Sequence, residues 1–92
     1  NKYGMHSFDA GTSWGFLALQ ATKEGLITHP MGGMDRAKAR EVLGVPDEYD
    51  IQIAIAIGYQ GDASELSEAL QAREVPSTRK PLEEIVFEGS FK

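Results

Sequence analysis

Thirteen consecutive positions, Ala10 to Thr22, carry no charge, and their apolar residues do not keep to one stripe. Trp14, Leu17, Ala18 and Ala21 fall broadly on one side of a helix, and Phe16 and Leu19 on another. The pattern predicts a helix from about Phe8 to Glu24, with Ser7 or Asp9 as its N-terminal cap and Gly25 as a left-handed stop. A helix apolar all round is buried all round, so it needs packing on more than one side. A loop from Leu26 to Met34 is expected next. Asp35 then caps a second helix, Arg36 to Leu43, ended by Gly44 and Pro46. Asp47 to Asp50 reads as a turn.

The clearest strand is Ile51 to Ile57. It places Ile51, Ile53, Ile55 and Ile57 on one face and Gln52, Ala54 and Ala56 on the other. Neither face carries charge, which predicts a central strand covered on both sides. Gly58 and Gly61 end it. Asp62 with Glu65 reads as a capping box for a third helix, Ala63 to about Arg73. Ser77 to Pro81 reads as an exposed basic turn, and Ile85 to Phe87 as a short last strand.

The chain has no repeat, linker or low-complexity tract, so it is read as a single domain spanning residues 1–92. Its layers do not close. One helix buried all round and one two-sided strand need about three layers. Two amphipathic helices and a short strand supply too little cover. The sequence therefore predicts missing partners: an absent N-terminal half, or a second copy in a homodimer. The chain begins with Asn1 and reads as a fragment, a processed product or a trimmed piece.

Charge narrows the function classes. Nine basic and 14 acidic residues give a net charge of −5. The first 33 residues balance, and the deficit lies in residues 34–92. This argues against a simple electrostatic nucleic-acid binder. With no cysteine and two histidines, there is no disulfide framework, thiol nucleophile or expected metal site. No apolar run approaches the roughly 20 residues of a membrane span, and no signal peptide is visible, so no membrane partner and a cytoplasmic setting are expected.

Two stretches could carry chemistry. Pro30-Met31-Gly32-Gly33 precedes a helix, and adjacent glycines allow positive φ and close approach of backbone to a flat ligand. It is either a backbone cradle for a cofactor or a plain tight turn. Arg79-Lys80, beside Ser77, Thr78 and Pro81, could grip a phosphate through the planar arginine fork. It is otherwise a solvated turn. His6 and Asp9 could pair as acid and base, or cap a helix. His29 beside Pro30 could face a ligand or be exposed. Ser7, Thr12 and Ser13 lack the setting of a serine nucleophile, so no catalytic side chain is assigned.

The ordered series is distinctive. Phe8-Asp9-Ala10-Gly11 opens the uncharged helix containing Leu17-Ala18-Leu19-Gln20-Ala21-Thr22. Gly25-Leu26 and His29-Pro30-Met31-Gly32-Gly33-Met34-Asp35 follow. Ala39-Arg40, Gly44-Val45-Pro46, Ala56-Ile57-Gly58-Tyr59, Arg79-Lys80-Pro81-Leu82 and Phe87-Glu88-Gly89 complete it. The series resembles the C-terminal half of an FMN-dependent nitroreductase, over nearly all of the chain.

The resemblance implies an α+β fold, an antiparallel sheet wrapped by helices, in an intertwined homodimer with FMN at the interface. It implies that Pro30, Met31, Gly32 and Gly33 lie along the flavin ring, with a backbone N–H near the flavin N5, and that Arg79 contacts the FMN phosphate. Some members carry a second basic residue where this chain has Ser77. The family's C-terminal segment, here Ile85 to Phe91, crosses to the other subunit. The Arg/Ser-rich phosphate-binding segment of the family's N-terminal half has no counterpart in these 92 residues.

The function expected is an oxidoreductase that uses NAD(P)H and FMN to reduce nitroaromatic or quinone-like acceptors. The flavin carries the chemistry, and the protein supplies position and electrostatics. A different class is a non-catalytic relative that only dimerises or binds flavin without turnover. A third is an unrelated acidic interaction domain.

Overall fold

The structure, a computed structural model, describes residues 4–91. The chain divides into two compact units, Asn1–Gln60 and Gly61–Lys92. Three α-helices and a two-stranded antiparallel sheet among the described residues make it an α+β chain.

The first unit opens with α1, His6–Lys23. Neither Ser7 nor Asp9 caps it: Met5 holds the cap position without a side-chain hydrogen bond. The start is tied down through side chains instead. His6 Nε2 lies 3.1 Å from Asp50 Oδ2, and Gln52 Nε2 donates to the Ser7 hydroxyl at 3.0 Å. Gly25 ends the helix at φ +79, as expected. Its N–H donates to the Thr22 carbonyl, and Leu26 N–H donates to the Ala21 carbonyl. Those two bonds satisfy carbonyls that the helix end leaves orphaned.

The stretch expected as a loop contains a strand, β1, Ile27–Met31. Its β-branched Ile27 and Thr28 suit a strand, and Pro30 is tolerated because β1 has one neighbour among the described residues. Next comes α2, Arg36–Leu43. Its Asp35 cap accepts from Lys38 N–H at 3.0 Å, and Gly44 closes it at φ +65. The second strand, β2, is Ala54–Gly58, shorter than the predicted Ile51 to Ile57. It pairs antiparallel with β1, setting Ile27 opposite Gly58, His29 opposite Ala56 and Met31 opposite Ala54. Among the described residues β2 is thus an outer strand with one partner, not a central one.

The second unit holds a 3₁₀ turn, Ala63–Glu65, a short α3, Glu68–Arg73, and a second 3₁₀ turn, Leu82–Glu84. The helix expected over 63–73 is thereby split. Asp62 accepts from Ser64 N–H at 2.9 Å rather than from the third residue of a capping box, and Ser67 caps α3. These backbone N–H and hydroxyl bonds from Ser64 hold the Asp62 carboxyl below its ordinary pKa. Ile85 to Phe87 is not a strand. Phe87 instead meets Phe91 edge-to-face, ring centroids 5.0 Å apart.

The helix read as buried on all sides is not buried within this chain. Ala21 is the one buried hydrophobic residue among those described, while Phe8, Phe16 and Leu19 are each more than two-thirds exposed. The deficit of cover inferred from the sequence is present in the fold. No helix among the described residues is long and apolar enough to cross a membrane.

Candidate functional site

The predicted cofactor stretch straddles the end of a strand. Pro30 and Met31 are the last residues of β1, with Pro30 opposite Ile55 and Met31 opposite Ala54. Gly32 and Gly33 leave the sheet and reach the Asp35 cap of α2. The two glycines do not take the positive φ that the sequence reading allowed for. A Cβ at either would meet nothing within 4 Å. Nothing inside the chain therefore demands glycine here. What glycine leaves at this turn is a bare, uncrowded backbone.

The turn is held from one side. Met34 N–H donates to the Gly32 carbonyl at 3.0 Å, closing a three-residue turn around Gly33. The Arg36 guanidinium, on the first residue of α2, donates from Nη1 to the same carbonyl at 3.1 Å. Its Nε reaches the Ile51 carbonyl at 3.0 Å and its Nη2 the Gln52 carbonyl at 2.9 Å. One side chain thus ties the glycine turn to the segment entering β2. Sequence reading missed Arg36. The available signal was a cation at a helix N-terminus, where the helix dipole disfavours it unless the side chain finds acceptors elsewhere.

Arg40, four residues on, works at the other end of α2. Its Nη1 donates to the Pro46 carbonyl at 2.7 Å and its Nη2 to the Tyr49 carbonyl at 2.9 Å. It pins the 45–49 turn as Arg36 pins the glycine turn.

His6 does not pair with Asp9. Its partner is Asp50, across from the start of α1. His29 is an exposed strand residue opposite Ala56. The isoleucine face lines a cavity of about 670 Å³ against α1, with Ile51, Ile53 and Ile55 facing Gly11, Trp14 and Leu17. Among the described residues no group of His, Asp or Glu is arranged to hold a metal ion.

Arg79 lies in the second unit. Its Nη1 donates to the Ser77 hydroxyl and, at 3.2 Å, to the Thr78 carbonyl. The Ser77 hydroxyl thus orients this guanidinium. Arg79 and Lys80 are both exposed.

Taken separately, the first unit's glycine turn and the second unit's Arg79 each have a feature that suits part of a flavin. A bare, anchored, uncrowded backbone suits the face of a flat ring, and a guanidinium with donors to spare suits a phosphate. Residues 2–59 match the model of the Nitroreductase family. A solved structure described as an oxidoreductase containing FMN is 44% identical and superposes with a TM-score of 0.92, over 97% of this chain and 45% of its own. A Mycolicibacterium smegmatis protein, described as an uncharacterized 15.4 kDa protein in the ask 5′ region, is 37% identical over 84 residues. That alignment takes in 90% of this chain and 56% of the relative. The chain thus spans about half the length of both proteins.

Proposed function

The chain belongs to the nitroreductase family, and we propose that it serves an FMN-dependent oxidoreductase as the part that carries the ring-side loop. The observation that carries the proposal is the glycine turn's anchoring: Met34 N–H and the Arg36 guanidinium hold the Gly32 carbonyl, and neither glycine takes the positive φ that would explain it as a turn residue. A plain tight turn has no need of two such glycines, whereas a backbone that a flat ring must approach does.

In this reading Pro30, Met31, Gly32 and Gly33 border the flavin ring, and Arg79 holds its phosphate. FMN supplies the redox chemistry when bound. The chain's own contribution is position: a backbone edge at the ring, a cation at the phosphate, and no side chain acting as nucleophile. NAD(P)H is the electron donor, and nitroaromatic or quinone-like compounds are the acceptors. The exposed Phe8, Phe16 and Leu19 favour assembly with further protein, in the first instance a second copy of the chain.

The test is FMN titration followed by anaerobic addition of NAD(P)H. Saturable binding and bleaching of the flavin band support the proposal. Binding without bleaching gives instead a flavin-binding module without turnover, and no binding at all removes both.

A further inference from the structure

The Gly32 carbonyl accepts two hydrogen bonds from the same side of the turn, from Met34 N–H at 3.0 Å and from Arg36 Nη1 at 3.1 Å. Among the described residues there is no cis peptide bond. In a planar trans peptide unit the carbonyl and the following N–H point in opposite directions. Holding the Gly32 carbonyl toward α2 therefore turns the Gly33 N–H away from it. The Gly33 N–H donates to no partner among the described residues, and the backbone there is uncrowded.

We propose that Arg36 is a positioning residue: it fixes the plane of the Gly32–Gly33 peptide and so aims the Gly33 N–H outward, toward the bound ring. The proposal rests on the flavin reading above for the identity of the ring, but not for the clamp itself. The other two donors of the guanidinium make the fixing effective. Nε and Nη2 are held by the Ile51 and Gln52 carbonyls at 3.0 and 2.9 Å, so Nη1 is not free to follow the turn. Two torsions of a glycine pair are otherwise among the cheapest in a chain to rotate. Only a planar fork with several donors can serve three carbonyls at once, and a lysine ammonium on its flexible stem cannot reproduce it.

Arg40 provides a matched control. It sits on the same helix and also bonds several backbone carbonyls, but those of the 45–49 turn. Arg36→Lys and Arg40→Lys keep the charge and remove comparable bonds.

The experiment compares both variants of the full chain with the parent in two states. In the flavin-free protein, amide exchange at Met34 should quicken about tenfold or more in Arg36→Lys, with a shifted Gly33 amide resonance, while Arg40→Lys leaves both unchanged. In the FMN-loaded protein, Arg36→Lys should shift the flavin midpoint potential and weaken FMN, and Arg40→Lys should move neither. Unchanged Met34 exchange and Gly33 resonance in Arg36→Lys would overturn the proposal. So would equal shifts of potential in both variants, which is the signature of general loosening. If the parent takes up no FMN, the flavin reading fails, and the exchange comparison still decides what Arg36 does.

Discussion

Leu26 donates its backbone N–H to the Ala21 carbonyl at 2.9 Å, the outer bond of the turn that ends α1. The turn forms only because Gly25, between them, sits at φ +79. For any other residue that conformation costs about 1–2 kcal/mol. A residue with fewer unfolded conformations recovers about 0.4–1 kcal/mol of this. Gly25→Ala should therefore destabilise the protein by about 1 kcal/mol, read as a lower urea midpoint at unchanged slope. An unchanged midpoint would show that the turn does not hold the helix end.

Gly33 makes the contrast. Its φ is not positive and a Cβ there meets nothing. Gly33→Val should therefore leave stability within about 0.5 kcal/mol of the parent, as for an unremarkable surface change. FMN affinity should nevertheless fall, because the added isopropyl group occupies the space the ring needs. Measuring both on one variant separates the readings: lost stability with unchanged affinity per folded molecule points to a plain turn.

Arg79 tests the phosphate contact. Arg79→Ala should weaken FMN by about 1.5–3 kcal/mol, the range for a hydrogen bond to a charged group. Riboflavin, which lacks the phosphate, should bind parent and variant alike. Ser77→Ala should reproduce a smaller part of the loss, because the Ser77 hydroxyl orients the guanidinium. Equal losses for both flavins would place Arg79 away from the phosphate.

Asp62 carries a local pH dependence. Ser64 holds its carboxyl below the ordinary value of 3.8. A depressed carboxyl stabilises the turn fully above its unfolded pKa and loses that contribution as pH falls through its folded pKa. The Ala63–Glu65 turn should therefore be intact at neutral pH and loosen only below pH 3.8. Asp62→Asn should loosen it at neutral pH and remove this acid step. Ser64 amide exchange followed from neutral pH into acid measures both, and an identical profile in parent and variant would contradict the assignment.

Much of the fold was legible because local chemistry decides it. Asp35 and Gly44 bracket α2 as their side-chain and φ preferences require, and the uncharged run from Ala10 to Thr22 marked α1. The antiparallel sheet came from the family resemblance; the pattern of residues did not reveal β1 or its pairing with β2, because Pro30 near the end of β1 reads as a loop signal unless the strand is known to lie at an edge. The split of 63–73 followed from a bond to Ser64 N–H that competes with the capping box. Pro30 to Gly33 stood out in sequence as a glycine pair before a helix, but not how the turn is anchored. That depends on Arg36 reaching carbonyls 15 and 16 residues away, and a spacing of that kind has no periodic signature.

The ring-side loop proposed for this chain is open to one spectroscopic experiment. The most direct test is the visible spectrum of the protein saturated with FMN, recorded before and after anaerobic NAD(P)H, for the parent and for Gly33→Val side by side. The parent should show a perturbed flavin band that bleaches on reduction, and the variant a band closer to free FMN. A parent spectrum indistinguishable from free FMN at every ratio, or a variant indistinguishable from the parent, would contradict it.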